Sequence, residues 1–208
     1  MPKITDAQRE TRRQQILDAA LRCFSRDGFH NTTTADIVRE AGLSQGTLYL
    51  YFASKEDIVV ALADDRHQGE AYVHALAQSE QDPLQGLKLL VDLYGRSLTD
   101  PAEAEQRRVR IQRWAEAQRN PVIYESVTTG MLAVRQAIAR LIERGQKSGQ
   151  LRPDLNADAA AQAMIAIFQG LTLHVSLGEA IDYSPVADLV GEMLRRAFLN
   201  EAVQADGA

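Results

Sequence analysis

Apolar residues recur every three or four positions along most of this chain and almost nowhere alternate, which is the period of helices packed on one face. The repeats predict helices over residues 6–27, 34–41, 45–51, 55–79, 83–98, 101–118, 121–148, 157–178 and 185–203. The first puts Ile16, Ala20 and Phe24 at i, i+4 and i+8 and keeps Arg9, Arg12, Arg13 and Arg22 on its wet faces. The seventh carries Val127, Met131, Val134, Ile138 and Leu141, and the last Leu189, Met193 and Ala197 beside Val190, Leu194 and Phe198. Four prolines directly follow a capping residue: Asp82-Pro83, Asp100-Pro101, Asn120-Pro121 and Ser184-Pro185. Proline at a first helical position gives up no hydrogen bond, and the preceding side chain accepts from a free N–H, so each pair reads as a helix start. The expected fold is all-α. A three-helix N-terminal domain over residues 1–55 contains a helix-turn-helix, and a six-helix domain covers 56–208.

The stretch from Thr32 to Ile58 is the most informative. Thr33 and Asp36 have the spacing of a capping box, with Asp in the place of the commoner Glu. Ile37, Val38 and Ala41 give a short helix its apolar face, and Gly42 supplies the left-handed residue that ends it. Leu43 plugs the turn and Ser44 caps a second helix at once. Two short helices joined by about three residues including glycine make a helix-turn-helix. The second helix opens Gln45-Gly46-Thr47, small and polar. Leu48 and Phe52 anchor it inward, which leaves Gln45, Thr47 and Tyr49 to face out toward base edges and phosphates of a major groove. Ser54 caps the next helix. Lys55 in its first turn opposes the helix dipole unless an anion such as a phosphate lies nearby.

Thr33, Thr34, Ala41-Gly42-Leu43-Ser44, Gly46, Leu48-Tyr49, Tyr51-Phe52 and Lys55 resemble, in order and spacing, the signature of the TetR family of transcriptional regulators. The match spans roughly residues 10–60, and its main departure is Val38, where the family usually has alanine. The resemblance implies that Gln45, Thr47 and Tyr49 read bases and backbone, and that Thr33, Thr34, Tyr49, Tyr51 and Lys55 clamp phosphates. Ser44 would cap, touch phosphate, or both, and Gly46 would let the helix approach the duplex closely. It also implies that residues 56–208 bind an effector and dimerise.

Charge qualifies this reading. The net charge of -5 is unusual for a protein that binds a polyanion, but residues 1–55 hold eight Lys or Arg against six Asp or Glu, and 56–208 hold fifteen against twenty-two. Hydrophobic residues at 45% and charged ones at 25% exclude general disorder. The single cysteine, Cys23, excludes an internal disulfide framework and reads as a buried small hydrophobe. No uninterrupted apolar run approaches about 18 residues, and the start of the chain is polar, so a cytoplasmic protein without a membrane partner is expected.

Helices 157–178 and 185–203 are apolar over much of their circumference, which a monomer would leave exposed; two such pairs would close a four-helix bundle and form a homodimer. Candidate effector contacts are Tyr94, Arg110, Trp114, Gln118, Tyr124, Phe168 and His174, with Arg110, Trp114 and Gln118 at i, i+4 and i+8. An aromatic wall with a guanidinium and an amide suits a small amphiphilic or aromatic organic molecule. His67, Glu70 and His74 have a spacing that can bind a metal, but Asp64, Asp65 and Arg66 mark an ordinary solvated face, so neither metal nor cofactor is expected. No nucleophile–base pair or glycine-rich phosphate loop supports an enzyme. The expectation is a repressor on a pseudo-palindromic operator, released when an effector moves the two reading heads through the fourth helix. A constitutive DNA-binding protein without effector, and a helical enzyme using the motif only for packing, are the alternatives.

Overall fold

A computed structural model describes residues 5–64, 82–178 and 183–200. These residues form nine α-helices: α1 (Asp6–Asn31), α2 (Thr34–Ala41), α3 (Gln45–Tyr49), α4 (Lys55–Asp64), α5 (Pro83–Thr99), α6 (Ala104–Ala117), α7 (Pro121–Lys147), α8 (Ala157–Ser176) and α9 (Tyr183–Phe198). A 3-10 turn, Pro101–Glu103, precedes α6. Among the described residues there is no strand, and Leu151 and Leu199 form an isolated antiparallel bridge.

Most helix ends are set by local side chain–backbone bonds. Asp82 accepts from the Leu84 N–H at 3.0 Å, Asn120 from Val122 at 3.0 Å and Asn156 from Ala159 at 2.9 Å. Gly28, with φ of 80° and ψ of 164°, breaks the helical backbone at the expected end of the first helix, and one further turn runs to Asn31. Two expected boundaries differ. Asp100 accepts from the Ala102 N–H at 2.8 Å, which tightens Pro101–Glu103 into a 3-10 turn and delays α6. The last helix starts at Tyr183, ahead of Ser184-Pro185; a proline is tolerated there because first-turn N–H groups have no helical partner. The expected helix over 55–79 is seen to Asp64. Its remainder, with His67, Glu70 and His74, lies outside the described residues.

The chain forms two compact units, one of residues 1–66 and 105–128, the other of 67–104 and 129–208. The first is built on Ile16, Leu17, Phe24, Ile37, Leu48 and Ile58, all fully buried, and Cys23 is buried with them as expected. Burial, the leading cause, pushes the Cys23 thiol above its ordinary value. Helix α6 belongs to this unit. Gln112 Nε2 on α6 donates to the Phe24 carbonyl at 3.0 Å, and His30 Nε2 lies 3.0 Å from the Glu116 carboxylate.

The second unit packs Leu87 and Leu90 of α5, Ile138, Leu141 and Ile142 of α7, Ala160 and Ala161 of α8 and Phe198 of α9 around Leu151. By length and composition α8 is apolar enough to cross a membrane. Its sequence shows no long uninterrupted apolar run, because Asp158, Gln162, Gln169 and His174 break it up while the aliphatic residues keep the mean hydropathy high. Only 22% of that apolar window is buried within the chain.

Gly145 near the end of α7 lies under Leu151. A Cβ there would stand 2.6 Å from Leu151 Cδ1 and 2.7 Å from its Cγ, and Leu151 has nowhere to retreat at 1% exposure. Gly145→Ala is expected to destabilise the protein by about 1–3 kcal/mol despite alanine's better helix propensity. Chemical denaturation would check this, and a gain in stability would show that the site relaxes.

Candidate functional site

The reading head is assembled from helices too short to persist alone. A helix of five residues such as α3 cannot recover its nucleation cost from its own hydrogen bonds, so its ends and its buried side must hold it. The Ser44 hydroxyl accepts from the Thr47 N–H at 3.2 Å and lies 2.8 Å from the Thr47 hydroxyl. Leu48 is fully buried and Phe52 is 5% exposed, so both anchor the helix as expected.

Upstream, Thr33 and Asp36 complete the capping box. The Thr33 N–H donates to Asp36 Oδ2 at 2.9 Å, and the Asp36 N–H donates back to the Thr33 hydroxyl at 3.2 Å. Hydrogen bonds from Thr33, ahead of the one from Arg39, hold the Asp36 carboxyl at about 2. Gly42 ends α2 with φ of 66°. Ser54 and Asp57 repeat the box at α4, with both bonds at 3.0 Å.

The predicted DNA contacts fall into distinct settings. Gln45 Nε2 donates to the Thr34 hydroxyl at 2.9 Å, tying α3 to the first turn of α2. Tyr49, half exposed, joins this pair, and hydrogen bonding with Thr34 and then Gln45 pulls its phenol below the ordinary value. Thr34, half-buried, and the exposed Gln45 and Tyr49 therefore form one polar cluster. Thr33 and Ser44 are exposed while serving as caps, and Thr47 and Tyr51 are half-buried. Gly46 is exposed, and a Cβ there would meet nothing within 4 Å, so the fold itself does not require glycine at this position.

Lys55, expected as a phosphate clamp, is also bonded within the fold. Its Nζ donates to the carbonyls of Phe29 at 2.7 Å and Thr32 at 3.0 Å, and sits 4.3 Å from the centre of the Phe29 ring. The lysine thus caps the carbonyl end of α1, where a cation is favoured. Contacts 23 and 26 residues apart carry no local spacing signal.

A second candidate site is a cavity within the second unit, with about 540 Å³ of empty volume including its open mouth. Helices α5, α7, α8 and α9 line it. Tyr94 and Phe168, both expected from the sequence, meet on its wall with ring centres 4.2 Å apart. The remaining lining is aliphatic or Met164, and no charged side chain is among it. Of the other expected contacts, Arg110, Trp114, Gln118 and Tyr124 belong to the first unit, and His174 is exposed on α8. None of the five lines this cavity. Gln118 falls past the end of α6, in a turn, so the i, i+4, i+8 face is not completed. Val91, Leu98, Ile138, Ile167 and Leu171 do line it, and nothing in an apolar helical repeat distinguishes such residues from ordinary core.

The family profile described as bacterial regulatory proteins, tetR family, matches residues 16–62, and the one described as BetI-type transcriptional repressor, C-terminal, matches residues 83–199. The chain belongs to the TetR family. It is similar to the HTH-type transcriptional regulator TtgR of Pseudomonas putida, with 29% identity over 174 residues, 82% of this chain and 83% of TtgR. Among solved structures, a transcriptional regulator from Saccharomonospora viridis in complex with choline is 27% identical, with a TM-score of 0.79 over 92% of this chain and all of that one. SmeT in a triclosan complex shares the fold at 23% identity, with a TM-score of 0.79 over 93% of this chain and 94% of SmeT. The TetR-type helix-turn-helix makes this protein a DNA-binding transcriptional regulator.

Lys55→Met keeps the aliphatic stem of this family member and removes its ammonium. Losing two charge-assisted bonds and a cation–ring contact is expected to cost about 1–3 kcal/mol of stability. Urea unfolding measures this directly. Unchanged stability together with a salt slope of DNA binding reduced by about one unit would instead assign Lys55 to a phosphate.

Proposed function

We propose that this TetR-family protein is a homodimeric repressor that binds a two-fold symmetric operator and is released by a small, uncharged apolar or aromatic effector. The cavity carries the effector part of this reading. Its lining is almost wholly apolar with an aromatic pair, the lining that small-molecule sites typically have. Burying a charge against such a wall without a partner is costly, which favours a neutral ligand. The Tyr94 and Phe168 rings provide a stacking surface.

A choline-like quaternary ammonium is the second reading. It is favoured by the Saccharomonospora viridis relative and by the aromatic pair, since ring faces attract such cations. The lining lacks a carboxylate to accompany it.

The dimer part rests on α8 and α9. Leu173, Leu177, Leu189 and Met193 are 43%, 76%, 62% and 56% exposed, an apolar surface that two copies would bury by packing α8 and α9 across a two-fold axis. Thr33, Thr34, Ser44, Gln45, Gly46, Thr47, Tyr49 and Tyr51 form the face offered to DNA. The exposure of most of them and the open space at Gly46 support this assignment. Effector binding needs to separate the DNA-competent and incompetent states by only about 1–3 kcal/mol to change operator affinity 5- to 150-fold.

One titration series tests the reading. Operator affinity is measured by fluorescence anisotropy for the wild type, Leu189→Glu/Met193→Glu and Phe168→Ala, with neutral triclosan and with choline as effector probes. The double variant is expected to sediment as a monomer and lose at least tenfold in operator affinity. Triclosan is expected to release the wild type and to act more weakly on Phe168→Ala, with choline inert. Release by choline alone would favour the second reading, and a monomeric wild type bound at full affinity would contradict the dimer.

A further inference from the structure

The outermost residue of the reading helix is an apolar one. Successive residues of a helix are separated by about 100° around its axis. The turn of α3 continues past Tyr49: Leu50 keeps right-handed helical angles, and the Phe52 N–H donates to the Leu48 carbonyl at 3.0 Å. Buried Leu48 and Phe52 define the inward side, and Leu50 then points almost directly opposite, with Gly46 and Thr47 flanking it on the outer ridge. Its exposure agrees. At 74% it is far more open than the 52% of Tyr49 beside it. Gln45 and Tyr49 lean to one side, bonded toward Thr34, so the polar cluster flanks the ridge and does not form its crest.

So exposed a leucine gains little burial within the fold, and it stands on the face that the DNA-binding reading turns toward the major groove. There the apolar group that distinguishes one base pair from the others is the C5-methyl of thymine. Gly46, one turn earlier on the same ridge, adds no side chain to hold the helix away from that floor.

We propose that Leu50 is a specificity-determining residue that reads a thymine methyl in each half of the operator. The proposal rests on the DNA-binding reading of this head and adds to it an apolar contact that the polar constellation lacks. Burying one methyl-sized group is worth about 0.8 kcal/mol, which is about fourfold in affinity.

The test uses the full-length chain and a symmetric DNA site recovered by selection. Each thymine in turn is replaced by uracil, which differs only in lacking the C5-methyl. At one position the replacement is expected to weaken the wild type about fourfold, and about fifteenfold when made in both half-sites. Leu50→Ala is expected to bind thymine DNA correspondingly less well and to be indifferent to the same replacement, while Leu50→Met, which keeps an apolar reach, retains most of the discrimination. Unchanged melting temperatures would show that the variants fold, as expected for so exposed a side chain. Wild-type indifference to every replacement, or equal sensitivity in Leu50→Ala, overturns the proposal while leaving the DNA-binding reading intact. Absence of binding to any DNA overturns both.

Discussion

The reading head depends on end-capping, because its helices are too short to be stable through their own hydrogen bonds. Helix α3 has five residues, fewer than a nucleated helix needs to persist in water. What fixes it is a succession of side chain–backbone bonds at its borders: the box of Thr33 and Asp36, left-handed Gly42, Ser44 on Thr47, and the box of Ser54 and Asp57. Each such cap is worth about 1 kcal/mol, and together with the burial of Leu48 and Phe52 they hold α3 at one angle on α2. Direct readout of base edges needs that angle, since a hydrogen bond between side chain and base tolerates only a few tenths of an ångström.

Helix α1 forms the platform beneath these elements. Lys55 binds its terminal carbonyls, Thr32 donates its hydroxyl to the Gly28 carbonyl at 2.8 Å, and Gln15 donates to the Ala41 carbonyl at 2.7 Å, so both ends of α2 and the start of α4 are tied to α1. Helix α6 joins the same unit through Gln112 and Glu116. A helix from the middle of the chain is therefore part of the body that carries the DNA-reading face.

What the sequence made legible follows from range. The caps at Thr33, Ser44, Asp82 and Asn120 are bonds between residues two or three apart, so spacing alone exposes them, and the helix-turn-helix is a string of such bonds. The bond of Lys55 to α1, the pairing of Gln45 with Thr34 and the attachment of Gln112 to Phe24 join residues 11 to 88 apart, and no local pattern announces them. Within the cavity, Tyr94 and Phe168 were legible because aromatic rings stand out, whereas Val91 or Leu171 looks the same whether it lines a cavity or fills a core. Helical periodicity placed Arg110, Trp114 and Gln118 on one face, but α6 ends at Ala117, one residue short of Gln118, and belongs with the head. Leu50 carries no such signal, because an apolar residue in a short helix looks like core.

The central claim is that this head, presented twice about a two-fold axis, reads DNA sequence. Selection of bound fragments from a random-sequence DNA pool by the full-length protein, near physiological salt, tests it most directly. The account predicts recovery of a two-fold symmetric motif whose half-sites lie one helical turn, about 34–36 Å, or a multiple of it apart. Recovery of an asymmetric single site, or no enrichment over the input pool, would contradict it.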